Sequence, residues 1–387
     1  MTKRLLVVTD NYVGEPGGSE KHLLNLLSGI GNDFEVTVFQ MYPDKIRDTI
    51  KDGKLRKKNN VTLFSTPVNS VFSFSYLFLI LEVFFLIRKS NIDLIISYHE
   101  KSDLLNYIVK KLSFKRLVNL SSKRDMGFNT SSRLKKLMKF ITKRLDGIVS
   151  PSSSIKDLMI NEYGVSADKA WVIHNGTDLD LYRQGTAQDI LNVRENLKLP
   201  LNKKIICCVG TLKPIKGHAF LLEGFARYLE KSKDTAMLVL IGGGDEEVSL
   251  KSLAKQLGIE DKVIFAGWQK NVSEWMKVVD LFVISSLSEG LSNALVEASA
   301  AGLPLLATDV GGNGEVVVNN DNGLLVQASS SMAIADAFES LLTNSERLKS
   351  FGHRSRELAE QKFSNAAMVG SFETLFSKKI EDVRLSD

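Results

Sequence analysis

Twelve short apolar runs, four to eight residues each, punctuate this chain in two series, with helix-length amphipathic segments between most of them. The first series reads RLLVVTD (4–10), FEVTVFQ (34–40), DLIISY (93–98), RLVNLSS (116–122), GIVSP (147–151) and AWVIHN (170–175). The rhythm restarts with KIICCVG (204–210), AMLVLIGG (236–243), KVIFAG (262–267), DLFVIS (280–285), LPLLAT (303–308) and GLLV (323–326). Strands this continuously apolar must be covered on both faces, which is the signature of parallel sheets with crossover helices. At 387 residues the chain exceeds what one core usually serves. The fold class expected is therefore α/β, with two doubly wound, Rossmann-like domains. They cover 1–180 and 181–363, the seam lies near NGTDLDLYRQG (175–185), and a last helix follows from 364 to 387.

Composition narrows the chemistry. The only cysteines, Cys207 and Cys208, are strand neighbours that point to opposite faces, which disfavours a structural disulfide and fits a reducing compartment. His22, His99, His174, His218 and His353 show no zinc spacing and there is no CxxC, so no metal site is expected. The start, MTKRLLVVTDNY, has too short an apolar run for a signal peptide, and Asp10 closes it. VFSFSYLFLILEVFFLI (71–87), interrupted by Glu82, falls just short of spanning length and reads as a core or interface helix. Its many phenylalanines also suit a helix lying on a bilayer surface.

Charge is uneven. Residues 1–180 carry 27 Lys and Arg against 19 Asp and Glu, a net +8, and the remainder is net −3. The excess is densest in KIRDTIKDGKLRKK (45–58) and SRLKKLMKFITKR (132–144). In the latter, Leu134, Leu137, Met138, Ile141 and Leu145 repeat at helical spacing, with Arg133, Lys135, Lys136, Lys139 and Lys143 between them. Such a helix is either a solvated outer face or an element that sits on an anionic membrane. No nucleic-acid module accompanies the charge, so nucleic acid is not an expected partner. The location expected is cytoplasmic, peripheral at the inner face of the cytoplasmic membrane if 71–87 and 132–144 hold lipid.

In doubly wound sheets ligands bind beyond the carboxyl ends of the strands. Three loops there are informative. DNYVGEPGGSEKHLLNLL places Gly14, Gly17 and Gly18 just before a helix, whose first amides could cradle a phosphate or let a sugar approach; the same stretch also reads as a flexible surface loop. It is not G-x-G-x-x-G. VGTLKPIKGHAFLLEGF offers Gly210, Lys213 and Lys216 ahead of a helix, an arrangement that suits a diphosphate without being a Walker loop. SLSEGLSNALVEASAAG (286–302) places Glu289 in a loop and Glu297 in a small apolar helix that Ser292 can cap. Eight helical residues would put the two about 80° apart in azimuth, so both could face one cleft. Carboxylates suit ligand hydroxyls, and the amides of Gly290, Leu291, Ser292 and Asn293 suit an anion. Hydroxyls flanking an anion describe a nucleotide sugar.

These residues resemble a known family. VGTLKPIKG, IGGGDEE, the stretch from FAGWQKNVSEW to ATDVGGNGEVV, GLLV, GGSEKHLLNL and VIHNGTDLDLY are together similar to the retaining group 1 glycosyltransferases of family four, which have the GT-B fold. The resemblance implies two Rossmann-like domains facing across a cleft: an acceptor domain, closed by the last helix crossing back to it, and a donor domain. It implies that Glu289 holds donor-sugar hydroxyls and Glu297 the ribose. Lys216 would stabilise the diphosphate, with amides near Gly18 and Leu291, and the base would sit near Gly243 and the loop from Trp268 to Val272. It implies a UDP- or GDP-linked hexose as co-substrate, no cofactor and no metal, and a glycan acceptor. The basic first half suggests that this acceptor is polyprenyl-linked.

Two departures stand out. The family's arginine after the glycine is Thr211 here, and Lys213 could substitute for it. The family often has a histidine where Lys123, Arg124 and Asp125 stand, which leaves His99 as the nearest histidine candidate and Arg124 and Asp125 as possible sugar contacts. DLD (178–180) matches a metal pattern of another fold but reads as structural at the seam. Competing readings are a sugar-nucleotide epimerase of the same architecture, a dehydrogenase, disfavoured by the missing glycine fingerprint, and an inactive nucleotide-binding partner subunit.

Overall fold

A strand whose every side chain is apolar is stable only between two covering layers, and the chain supplies those layers in both halves. The structure, a computed structural model, describes residues 2–13, 17–41, 60–66, 68, 71, 73–113, 116–125, 132–232 and 236–385. Gly14, the basic run 45–58, Phe72 and the side chain of Arg133 lie outside the described residues.

The first unit comprises Met1–Gly176 with Asn365–Asp387. Its strands are β1 (Lys3–Thr9), β2 (Phe34–Gln40), β3 (Val61–Ser65), β4 (Leu94–Tyr98), β5 (Val118–Ser122), β6 (Gly147–Ser150) and β7 (Ala170–Val172). They form one parallel sheet in the order β3-β2-β1-β4-β5-β6-β7. Strand β3 is absent from the runs expected from sequence. It is an edge strand whose residues alternate half-buried and exposed, so VTLFS never forms a continuous apolar run.

Successive side chains of β1 serve opposite layers. Leu5 and Val7 pack with Leu23, Leu26 and Leu27 of α1 (Gly18–Gly29), whereas Leu6 and Val8 pack with α2 (Phe74–Lys89) and α3 (Glu100–Ser113). Helices α4 (Ser132–Thr142) and α5 (Ser153–Asn161) share a further apolar cluster through Met138, Ile141, Ile155 and Met159. Right-handed crossovers explain the division. The steps from β3 through β7 all run one way across the sheet and place α2 to α5 on one face, while β1 to β2 steps back and places α1 on the other.

The second unit is Thr177–Ser364. Its parallel strands are β8 (Lys204–Val209), β9 (Ala236–Ile241), β10 (Val263–Gly267), β11 (Leu281–Ile284), β12 (Leu305–Thr308) and β13 (Gly323–Val326), in the order β10-β9-β8-β11-β12-β13. Its helices are α6 (Ala187–Asn196), α7 (His218–Ser232), α8 (Glu247–Gln256), α9 (Val272–Met276), α10 (Asn293–Ala300), α11 (Asn313–Val316), α12 (Ser331–Leu342) and α13 (Ser345–Lys362). Cys207 and Cys208 are both buried and unbridged, and burial pushes the Cys208 thiol up to about 12.

The chain leaves the first unit at Gly176 and returns at Asn365, against expected boundaries at 180 and 364. The Thr177 amide donates to the Phe363 carbonyl at 2.8 Å, which ties the two crossing strands together. Beyond them α14 (Asn365–Leu385) belongs to the first unit, where Phe372 and Phe376 join the core beside α1.

Candidate functional site

A doubly wound sheet opens a crevice where its strand order reverses. In the second unit that point lies between β8 and β11. After β8 the chain passes Gly210, Thr211 and Lys213, makes one tight turn over Pro214–Lys216, and enters α7 through Gly217. Gly217 has φ 63°, and a Cβ there would lie 2.2 Å from the Ser285 carbonyl, so this turn closes on β11 only with glycine. Ser285 Oγ donates to the Lys216 carbonyl at 3.0 Å and the Leu287 amide to the Ile215 carbonyl at 2.8 Å. Across this seam Lys216 Nζ donates to Glu289 Oε1 at 2.6 Å, and Ser286 Oγ donates to the same oxygen at 2.7 Å. Gly311, at φ 53°, backs the glutamate so closely that a Cβ would stand 1.7 Å from the Glu289 carbonyl.

The loops after β8 and β9 are also joined. The Gly210 amide donates to the Ile241 carbonyl at 2.9 Å and the Leu212 amide to the Gly243 carbonyl at 3.0 Å. A Cβ on Gly242 would collide with the Gly210 carbonyl, yet one on Gly210 or Gly243 would meet nothing within 4 Å. Those two glycines therefore present bare backbone to open space. Trp268 is 64% exposed just beyond β10, and Val272 opens α9. Thr211 and Lys213 are exposed.

Helix α10 begins at Asn293, with Ser292 Oγ accepting from the Leu295 amide at 3.3 Å; Gly290 and Leu291 lead into it. Glu289 thus precedes the helix, and helical azimuth does not relate it to Glu297. Their partners also differ. Glu297 is buried on α10 and accepts from the Tyr182 hydroxyl; burial, and then the Glu297 charge, raise the pKa of that phenol. Arg356 Nη1 donates to the carbonyls of Leu179, Tyr182 and Ala300, at 3.0, 2.9 and 2.6 Å, and so fastens the 179–182 segment beside α10. Sequence reasoning missed Tyr182 and Arg356. The one available signal was a polar-tipped aromatic at the seam. Asp178 Oδ1 accepts from the Asp180 and Leu181 amides, both at 3.1 Å, a local turn.

In the first unit the reversal lies between β1 and β4. Asp10 caps α3, accepting from the Lys101 and Ser102 amides at 3.0 and 2.7 Å and from the Ser102 hydroxyl, and burial raises its pKa. His99, with φ 73°, meets Asn11 Nδ2 at 3.4 Å and Glu20 Oε1 at 3.8 Å, and Asn11 donates to Glu20 at 2.6 Å. Asn11 and Glu20 were not anticipated. They alter the reading of Gly17 and Gly18: a Cβ on Gly17 would lie 2.0 Å from Glu20 Oε2, so a carboxylate already folds back over this helix start. Arg124 donates to Asn175, and burial lowers its guanidinium to about 10. Lys123 pairs with Asp103, and Asp125 is exposed. The structure therefore groups His99 with Asn11 and Glu20, and Arg124 with Asn175.

Comparison with known proteins adds an independent finding. The family described as Glycosyl transferases group 1 matches residues 189–358, and that described as Glycosyltransferase Family 4 matches residues 16–181. A D-inositol 3-phosphate glycosyltransferase of Corynebacterium aurimucosum is 32% identical over 237 residues, 59% of this chain and 56% of that protein, so the match spans little more than half of this relative's length. The Campylobacter jejuni N-acetylgalactosamine-N,N'-diacetylbacillosaminyl-diphospho-undecaprenol 4-alpha-N-acetylgalactosaminyltransferase is 26% identical over 89% of this chain and 92% of its own. Among solved structures, Anabaena HepE in complex with UDP superposes with a TM-score of 0.83 at 21% identity, over 97% of this chain and 100% of that one.

Two expectations follow from the geometry. Gly311→Ala should lower stability by about 1–3 kcal/mol through strain at positive φ and displace Glu289, whereas Gly243→Ala should change stability by less than about 0.5 kcal/mol. Chemical denaturation of both variants checks this, and equal losses would contradict it. His218, 1% exposed at the start of α7, is held down to about 4 by burial and then by the Lys216 charge, against an ordinary 6.5. The unfolded chain therefore takes up this proton first. Stability from this group is full above pH 6.5 and is lost as pH falls toward 4, by about 3 kcal/mol. The midpoint of thermal unfolding should fall over that window, and less steeply in His218→Gln.

Proposed function

The chain belongs to the group 1, family 4 glycosyltransferases, and we propose that it moves a hexose from a UDP- or GDP-linked sugar to a glycan acceptor carried on a polyprenyl diphosphate. The observation that carries this reading is the Lys216–Glu289 pair at the reversal of strand order, an ammonium and a carboxylate on two loops that bare-backbone glycines leave approachable. The UDP bound in the Anabaena protein makes uridine the first base to test, and the undecaprenol-linked substrate in the Campylobacter name motivates the acceptor class.

The chemistry follows from where charge develops. Breaking the anomeric C–O bond sends its electron pair to the leaving diphosphate, and Lys216 stands ready to meet that charge as a preorganised cation, without a metal. The acceptor hydroxyl oxygen then bonds to the anomeric carbon, and its proton passes to the departing diphosphate oxygen on the same face, so configuration is retained. Glu289 Oε1 is committed to Lys216 and Ser286, which suits a carboxylate that orients the sugar through its other oxygen better than one that attacks carbon. Glu297, aimed by Tyr182, would take the ribose hydroxyls. Lys213 would supply the second cation.

Thermal unfolding with UDP, GDP, ADP and NAD tests this reading. One nucleoside diphosphate at about 100 times its dissociation constant should stabilise the wild type by about 2.7 kcal/mol. The shift should shrink in Lys213→Ala and in Glu297→Gln. A response to NAD alone would instead favour a dehydrogenase. Binding without sugar transfer would favour a non-catalytic subunit, the reading that Thr211 in place of arginine supports.

A further inference from the structure

Helix α2 is apolar on two opposite sides. Tyr76, Leu79, Ile80, Val83 and Ile87 are buried against the sheet of the first unit. Phe74, Phe78, Leu81 and Phe85, spaced by three or four residues, form with Leu77 a second stripe that is 45–83% exposed. One core-facing stripe is all that a covering helix needs. A continuous row of five large exposed apolar side chains marks an interaction surface. The stripe ends in exposed Arg88 and Lys89, and Glu82 is its one acid.

The same layer extends the surface. Helix α3 packs on both α2 and α4, and the crossover rule places all three on one face of the sheet. Helix α4 contains no acidic residue. Leu134, Leu137 and Phe140 are 37–47% exposed there, with Lys136 and Lys139 exposed among them. Lys135 is engaged with Glu162 at 2.7 Å, and the Arg144 guanidinium covers the Phe140 ring at 3.6 Å. Among the described residues no helix is long and apolar enough to cross a membrane.

We propose that the outer face of α2, α3 and α4 is a membrane-docking surface, on which the α2 phenylalanines enter the acyl boundary of an anionic bilayer while Lys136, Lys139, Arg88 and Lys89 engage its phosphates. Apolar side chains ringed by cations match a surface that is oily within and negative at its edge. A second copy of this chain fits less well, because a two-fold contact would bring the same basic rim against itself. The inference deepens the lipid-linked acceptor reading by naming the partner surface. It stands on the exposed helices alone, so it survives or fails independently of donor binding.

The test is co-sedimentation of the full chain with vesicles of phosphatidylcholine alone or mixed with phosphatidylglycerol, at low and high salt. The mixed vesicles should bind at least about tenfold more tightly, and high salt should weaken that binding. Phe78→Ser/Phe85→Ser should abolish sedimentation, and Lys136→Gln/Lys139→Gln should weaken binding to the mixed vesicles by about fivefold per lysine. These side chains are exposed, so thermal midpoints and nucleotide-induced shifts should match the wild type. Absent binding, equal binding to both vesicle types, or variants that bind like wild type would each overturn the proposal. So would a concentration-dependent dimer that binds no vesicles and that the phenylalanine variant makes monomeric, since that assigns the face to a second copy.

Discussion

Lys216 and Glu289 meet at 2.6 Å, and the pair ties together two loops that would otherwise approach as a carboxylate and a row of backbone dipoles. Much of the second unit's local geometry exists to permit that meeting. Gly217 turns at positive φ so that the lysine's loop can lie on the end of β11, and Gly311 leaves space behind the glutamate's carbonyl. Ser286 gives the carboxylate a second donor, and Thr308 Oγ1 holds the Ser286 carbonyl at 2.6 Å. The half-shielded location strengthens the interaction relative to water while leaving both groups within reach of a ligand. On the proposed function, an incoming diphosphate would compete for the ammonium and free carboxylate lone pairs for hydroxyls, so that one contact would couple both ends of donor recognition.

How far the sequence speaks depends on which physical constraint a residue answers to. Continuous apolar runs report burial on both faces, and the strands of the second unit and six of the first were legible for that reason. Strand β3 was not, since an edge strand half in water has no such run. Glu289, Lys216 and the open glycines lie in short loops directly after strands, where topology restricts position, and they could be read as a group. Tyr182 and Arg356 could not. Their contacts join the 179–182 segment, α10 and α13, a proximity no local pattern encodes. The helix start at Gly17 and Gly18 shows the converse limit: the glycines were visible, but the Glu20 carboxylate folded over them depends on a side-chain conformation.

The two units differ in what their helices expose. In the second, polar groups converge on strand ends, and α12 buries a single stripe through Ile334, Ala337, Phe338 and Leu341. In the first, α2 is apolar inside and outside, and α4, on the other side of α3, mixes leucine with lysine. A face of this kind is costly in water alone. The Asn11–Glu20–His99 cluster lies at that unit's own strand reversal, after β1 and β4, and the half-buried Arg124 follows the neighbouring β5.

In the proposed mechanism Lys216 meets the negative charge of a departing nucleoside diphosphate. Release of nucleoside diphosphate from UDP- and GDP-linked hexoses, followed by phosphorus NMR for the wild type and Lys216→Ala, tests it most directly. Release from one donor by the wild type and a loss of about 100-fold or more in the variant are expected, the scale of one preorganised electrostatic contact. Equal release by both proteins, or none from any donor by the wild type, would contradict it.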